Sequence, residues 1–134
     1  MELVTLDDEI ESVGKAIVHA AYLVHMGMGP GLLEKVYEVC MEYELRQQGL
    51  FVERQVSLPI HYRGLTFDES LRIDLMVEKK ITVEIKSVEL VNAIWKAQVL
   101  SHLKLSHLHL GYLINFNVPL IKDGINASSP NIHS

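Results

Sequence analysis

Residues 71–88 read Leu-Arg-Ile-Asp-Leu-Met-Val-Glu-Lys-Lys-Ile-Thr-Val-Glu-Ile-Lys-Ser-Val. Apolar and polar residues alternate with a period of two over 71–77 and again over 81–85, a pattern typical of half-buried strands. The short charged segment 78–80 separates the two runs, so the stretch predicts a β-hairpin.

The parity of the apolar positions determines the register of this hairpin. They all carry odd numbers, so the loop must hold an odd number of residues if both runs are to face one core. A three-residue loop over 78–80 satisfies this condition. The pairs it predicts are Val77–Ile81, Leu75–Val83, Asp74–Glu84 and Arg72–Lys86.

The predicted register sets Asp74 and Glu84 against each other. Directly opposed Cβ atoms lie roughly 4.5–5.5 Å apart, a distance at which two carboxylates repel. One interpretation is a surface charge cluster, in which solvent and the diagonal ion pairs Arg72–Glu84 and Asp74–Lys86 reduce the repulsion. The other interpretation is a divalent-metal site with two hard oxygen ligands and an ammonium on the same strand face.

The composition predicts a single globular domain over residues 1–126 and a polar tail over 127–134. The 134-residue chain is 49% hydrophobic and 22% charged, which suffices for a buried core. Cys40 is the only cysteine, so we expect no disulfide framework and a reducing compartment such as the cytoplasm. No apolar run approaches the roughly 18 residues of a membrane span, and the acidic N-terminus argues against a signal peptide.

The formal net charge of −5 disfavours a protein that binds nucleic acid tightly without help, because such proteins are usually basic. It is compatible with an enzyme whose acidic site is neutralised by metal. The sequence contains no phosphate-cradling glycine motif, no nucleophile elbow and no internal repeat.

Helical spacing of apolar residues predicts three helices, over 1–26, over 30–48 and over 89–106. The third is apolar nearly all round, so we expect it to be sandwiched between the sheet and another element. On the second helix, Glu38 lies outside the apolar arc and is expected to be solvated. Glu34 lies at the margin of the arc, where the helix dipole alone would also favour an acid.

The remaining runs predict strands. The run 50–62 contains Pro59, which indicates an edge strand or a bulge. The run 108–116 is almost wholly apolar and is expected to be an interior strand, and 118–125 an edge strand with a turn at Asp123-Gly124.

On the third helix, Trp95, Gln98 and His102 share one stripe. Gln98 is a candidate functional residue, although a buried glutamine bonded to backbone is common. A zinc site of His102, His107 and His109 is disfavoured, because His102 belongs to the helix before the strand and no cysteine is near.

The order helix, three strands, helix, strand, with Asp on the second strand and Glu-x-Lys on the third, resembles the core of the PD-(D/E)XK nuclease superfamily. The segment Gly31-Leu32-Leu33-Glu34-Lys35-Val36-Tyr37 further resembles the signature of the GxxExxY proteins. The likeness runs from about Ile10 to Ile125. It continues through Tyr43-Glu44-Leu45-Arg46, Arg54-Gln55-Val56, Asp74-Leu75, Val83-Glu84-Ile85-Lys86 and Leu113-Ile114-Asn115-Phe116.

This resemblance implies an α/β fold with a restriction-endonuclease-like core, in which a central mixed four- to five-stranded sheet is flanked by helices in the order ααβββαβ. It also implies Mg²⁺ or Mn²⁺ as cofactor, with Asp74 and Glu84 as ligands and Lys86 as the catalytic lysine. Glu34 is then the helix carboxylate that completes or supports the metal shell. Gln98 matches a glutamine that related nucleases follow four residues later with a tyrosine; here that position is His102. The residue before Asp74 is Ile73 rather than proline.

Three functions follow from these observations. The first is a metal-dependent nuclease that hydrolyses phosphodiester bonds, in DNA rather than RNA, with a homodimer as one option. The second is a non-catalytic module for assembly or nucleic-acid binding on the same fold, and the third is a hydrolase of a smaller phosphate ester. Cations are few and scattered, which disfavours sequence-specific cleavage by a monomer.

Overall fold

The computed structural model describes residues 8–130. Its helices are α1 (Asp8–Met28), α2 (Glu34–Gln47) and α3 (Ala93–Ser106). Its strands are β1 (Val52–Tyr62), β2 (Leu65–Val77), β3 (Ile81–Lys86), β4 (Leu110–Asn115) and β5 (Ile125–Ser128), with a short 3₁₀ helix over Ile121–Asp123. The predicted first helix begins outside the described residues, at positions 1–7.

The five strands form one mixed sheet in the order β1-β2-β3-β4-β5. Only the pair β3–β4 is parallel, and α3 makes the crossover between these two strands. The other three pairs are antiparallel. The predicted α/β class and the restriction-endonuclease-like arrangement of a sheet flanked by helices are confirmed.

The hairpin of β2 and β3 has the predicted loop and register as far as Leu75. Val77 pairs with Ile81 and Leu75 with Val83. The ladder then ends, so the predicted pairs Asp74–Glu84 and Arg72–Lys86 do not belong to it. The two strands separate one residue before the carboxylates, which leaves room for side chains between them.

The core lies on both faces of the sheet. One face is covered by α1 and α2, whose apolar stripes pack on buried residues of β2, β3 and β4. The other face is covered by α3 through the smaller cluster of Val99, Leu103 and Leu113. The outer face of α3 carries Ile94 at 55% and Leu105 at 43% exposure. The expectation that a second element covers this helix is therefore wrong within residues 8–130.

The segment that precedes α2 is held by Tyr37. Its hydroxyl donates to the carbonyl of Gly29 at 2.7 Å and accepts from the amide of Leu32 at 3.0 Å. Its ring stacks on Phe116 with centroids 4.5 Å apart. Gly31, with φ of +91°, makes the turn. Gly31 and Tyr37 thus fix the conformation of the segment that leads into α2.

The distal halves of β1 and β2 form a two-stranded arm, which we define as residues 58–71. Its register shifts between Pro59 and His61, as the proline predicted for an edge strand. Every residue from 61 to 70 is exposed. Leu58 pairs with Leu71 and Tyr62 with Leu65, so alternate positions place apolar side chains on one face of the arm.

The C-terminal region differs from the prediction. The segment 118–125 is not a strand, because it contains Pro119 and the 3₁₀ turn before Gly124. The edge strand is β5, which pairs with β4 up to Ser128, so the first two residues of the predicted tail lie in the sheet. Residues 131–134 of that tail lie outside the described residues. No described helix is both long and apolar enough to cross a membrane.

Candidate functional site

Asp74 lies at the point where β2 and β3 separate. Its Oδ2 accepts a hydrogen bond from the backbone amide of Ile85 at 2.9 Å, in place of the next rung of the ladder. Its Oδ1 faces Nε2 of Gln55 at 3.5 Å. One carboxylate oxygen is thus fixed by the backbone, while the other has only a long contact.

Glu84 projects from β3 beside Asp74. Its Oε1 is buried and has no hydrogen-bond partner among the described residues. Burial, and then the charge of Asp74 and a side-chain hydrogen bond with it, raise the pKa of Glu84 to about 8. The backbone amide of Asp74 and the Lys86 ammonium oppose this rise. Without a cation, the pair therefore holds a proton at neutral pH. This proton removes the repulsion that two ionised carboxylates would have.

The geometry fits a divalent cation. Two carboxylates converge where the ladder has opened, and a buried oxygen without a partner is a costly feature that a bound ion would satisfy. Hard oxygen donors suit Mg²⁺ or Mn²⁺. Within residues 8–130, no group of three or more His, Cys, Asp or Glu side chains is arranged to hold a metal. Water would have to complete the shell of an ion held by this pair, as is usual for Mg²⁺.

Lys86 ends β3 on the same strand as Glu84. Its Nζ lies 4.5 Å from the centroid of the Trp95 ring on α3, a cation–π contact. In the described part of the chain it forms no ion pair with Asp74, and Arg72 forms none with Glu84. The surface charge cluster is therefore not what the structure contains.

Asn115 fixes the chain that follows Lys86. It is buried, and its Oδ1 accepts from the amide of Val88 at 3.1 Å while its Nδ2 donates to the carbonyl of Val88 at 2.9 Å. The amide of Phe116 also donates to the carbonyl of Lys86 at 2.9 Å. The backbone at Lys86 and at Val88 is thereby fixed by hydrogen bonds to residues 115 and 116.

Glu34 is the first residue of α2 and is exposed. It lines a cavity of about 430 Å³ together with Asp74 and the exposed cations Lys35 and Arg72. Glu34 therefore shares a cavity wall with Asp74, but it does not join Asp74 and Glu84 in a three-carboxylate group among the described residues.

Glu38 lies one helical turn further along α2, and the expectation that it is solvated is wrong. It is only 6% exposed, and its Oε2 accepts from Nε and Nη2 of Arg54 at 3.0 and 2.7 Å. Its Oε1 accepts from Nε2 of Gln55 at 2.7 Å. Arg54 is therefore committed to a buried partner.

A sequence signal for Glu38 does exist. It precedes Met41 and Leu45 by three and seven residues, and both of these are fully buried. All three therefore lie on the inward stripe of α2. The basic and amide residues that satisfy Glu38 come from β1, and no helical pattern can indicate them.

Gln98 is exposed and lies one turn after Trp95 on α3. His102 is half-buried, its Nδ1 has no described partner, and burial lowers its pKa. The three histidines His102, His107 and His109 do not form a metal-binding group within residues 8–130.

The family model for the PD-(D/E)XK nuclease superfamily matches residues 11–127. The chain belongs to the PD-(D/E)XK nuclease superfamily. Nucleases of this superfamily generally use divalent metal ions and act on nucleic acid, which agrees with the carboxylate pair at the opened ladder.

Among solved structures, the protein SSO0001 aligns with this chain at 20% sequence identity and a TM-score of 0.49. The alignment covers 92% of this chain and 58% of that one, so the chain spans less than two thirds of SSO0001. Comparison with curated proteins gives no match.

Proposed function

We propose that this PD-(D/E)XK superfamily member is a Mg²⁺- or Mn²⁺-dependent nuclease that hydrolyses phosphodiester bonds, in DNA rather than RNA. The observation that carries the proposal is the buried, unpartnered Oε1 of Glu84 beside Asp74. In a protein without a ligand for it, such an oxygen lowers stability, so its retention points to an ion. Within the superfamily, the segment Gly31–Tyr37 supports membership of the GxxExxY group.

Asp74 and Glu84 would hold the ion, and Glu34 would support its shell from α2. When bound, the ion would polarise the phosphoryl oxygen and acidify a water. Glu84 must lose its proton before it can act as a ligand. Lys86 supplies a positive charge for the attacking water or the developing negative charge, and we expect it to turn from the face of Trp95 to do so. Gln98, one turn beyond Trp95, is the candidate for a further polar contact.

Lys35 and Arg72 are the exposed cations of the cavity that Asp74 lines. We assign them to the phosphates that flank the scissile bond, since backbone contacts by Lys and Arg provide most of the non-specific affinity for nucleic acid. Two such cations hold a substrate weakly, which favours a homodimer as the working form. The exposed apolar face of the arm supports that proposal.

The decisive experiment is cleavage of plasmid, linear duplex, single-stranded DNA and RNA with Mg²⁺ or Mn²⁺. We expect Lys86→Ala to lower the rate at least about 100-fold, while the affinity for Mn²⁺ is retained or slightly improved because a nearby cation is removed. The matched control is Lys96→Ala, an exposed lysine of α3 outside the cavity. Unchanged cleavage by Lys86→Ala would exclude the catalytic role, and loss of Mn²⁺ binding would make the lysine structural.

The third function, hydrolysis of a smaller phosphate ester, is supported by the size of the cavity and its two exposed cations. Bis(p-nitrophenyl) phosphate separates the two reactions. A nuclease cleaves it far more slowly than DNA, since most of the binding energy from flanking phosphates is lost. Faster hydrolysis of the small diester than of any nucleic acid would favour the ester hydrolase.

A further inference from the structure

Gln55 has an unusual backbone conformation for a residue inside a strand. Its φ is +52°, in the left-handed region, although β1 is paired with β2 on both sides of it. Arg54 pairs with Leu75 and Val56 with Ile73, so Gln55 lies opposite Asp74. A residue with a Cβ is strained in this conformation. Gln55 lies in the middle of a strand and not in a turn, so the path of the chain does not require the positive φ.

The strained conformation directs the Gln55 amide at two carboxylates. Nε2 lies 2.7 Å from Oε1 of Glu38 and 3.5 Å from Oδ1 of Asp74. Two acceptors face the same nitrogen, so the NH₂ end and not the carbonyl end must point inward. One amide hydrogen is available for each carboxylate.

Glu38 is the fixed end of this contact. It is buried, and Arg54 holds its other oxygen through two hydrogen bonds. At the opposite end, the backbone of Ile85 holds Oδ2 of Asp74. The long contact from Gln55 therefore orients Oδ1 of Asp74 without occupying it, which leaves that oxygen able to bind an ion.

We propose that Gln55 is a positioning residue for the metal ligand Asp74, and that the left-handed backbone is retained because it aims the amide. This inference rests on the proposed function, since it takes Asp74 to be a ligand. Groups that orient metal ligands commonly contribute 10- to 100-fold to metal affinity. Strain that a fold keeps at such a position is a cost to stability that serves the site.

Two substitutions separate positioning from a merely structural role. Gln55→Ala removes the amide and keeps the strain, whereas Gln55→Gly removes the amide and relieves the strain. We expect both variants to bind Mn²⁺ about tenfold more weakly than the wild type in calorimetric titrations. With EDTA, we expect the glycine variant to have the higher Tm of the two. Ser57→Ala, two residues along the same strand and exposed, should leave Mn²⁺ affinity unchanged.

The outcomes distinguish this inference from the proposal on which it rests. A wild type that does not bind Mn²⁺ overturns both. A wild type that binds Mn²⁺, with both variants binding equally well, overturns the positioning role alone. Affinity that follows Tm, restored in Gln55→Gly and lost in Gln55→Ala, would make Gln55 a structural residue and would also overturn the inference.

Discussion

At the scale of single residues, the site depends on one proton. Two carboxylates beside each other would repel if both were ionised, and no side chain among residues 8–130 forms an ion pair with either of them. The pKa of Glu84, raised to about 8 by burial and by Asp74, keeps Glu84 protonated at neutral pH in the absence of metal. In the proposed metal site, an ion and a proton therefore compete for the same oxygens.

This competition predicts how stability changes with pH. Between the ordinary pKa of 4.5 and about 8, folded Glu84 holds a proton that the unfolded chain has released. Its contribution to the free energy of unfolding therefore falls as pH rises through this window. Glu84→Gln keeps the shape of the side chain and removes its titratable group. With EDTA, we expect it to be more stable than wild type at pH 8.5, by on the order of 2 kcal/mol, and closer to wild type at pH 5.

Urea unfolding over a pH series checks this prediction. Glu89→Gln, at an exposed position, should follow the wild type at every pH. Saturating Mn²⁺ should raise the stability of wild type and not of Glu84→Gln, because only the wild type retains both proposed ligands. A difference between wild type and Glu84→Gln that stays constant from pH 5 to 8.5 would contradict the prediction.

At the scale of elements, α2 carries Glu34 and Glu38 of the cavity. Tyr37, on the same helix, anchors the segment that precedes it. Tyr37→Phe keeps the ring stack on Phe116 and leaves Gly29 O and Leu32 N without their partner. We expect a loss of stability of about 1–2 kcal/mol, measured by thermal or urea unfolding. Tyr43→Phe on the same helix, where Tyr43 is 59% exposed, should change stability by less than about 0.5 kcal/mol. Equal effects of the two substitutions would remove the anchoring role of the Tyr37 hydroxyl.

The same elements show what the sequence can predict. The loop of the β2–β3 hairpin and its register as far as Leu75 were predictable, because alternation and parity are local properties of the chain. The early end of the β2–β3 ladder was not predictable. It depends on the tertiary arrangement, in which β2 stays paired with β1 after its pairing with β3 has ended. The burial of Glu38 was missed for a similar reason: whether a carboxylate is solvated depends on Arg54 and Gln55, which reach it from another strand. The outer face of α3 carries apolar residues without a described cover, and a hydropathy pattern cannot tell an exposed apolar face from a buried one.

At the scale of the whole molecule, the arm is a region whose apolar side chains are not covered by other elements of residues 8–130. An isolated two-stranded ribbon is marginally stable in water, yet Tyr62, Leu65 and Phe67 are 58%, 59% and 41% exposed. The arm carries Arg63 against Asp68 and Glu69, so it lacks the positive charge of a surface built for nucleic acid. In the proposed homodimer, this surface would contact a second copy of the chain related by a two-fold axis.

A paired substitution tests the arm as the dimer interface. We expect sedimentation velocity to give a dimer for the wild type and a monomer for Leu65→Ser combined with Phe67→Ser, because the apolar contact is lost. The matched control is Leu90→Ser with Ile94→Ser. Leu90, just before α3, is 85% exposed, and Ile94, on α3, is 55% exposed. This variant should remain dimeric. A monomeric wild type, or a control that dissociates, would contradict the assignment.

The contact of Lys86 with Trp95 also gives the protein an optical probe. Trp95 is the only tryptophan, so all indole fluorescence comes from the ring beneath the lysine ammonium. In the proposed reaction, Lys86 turns towards a bound phosphate; the ring then loses its cation, and its emission should shift. A titration with an uncleavable phosphorothioate oligonucleotide would therefore follow the lysine as it enters the reaction site. Lys86→Met, which keeps the aliphatic stem without the charge, should show the shifted spectrum from the start and no further change on titration.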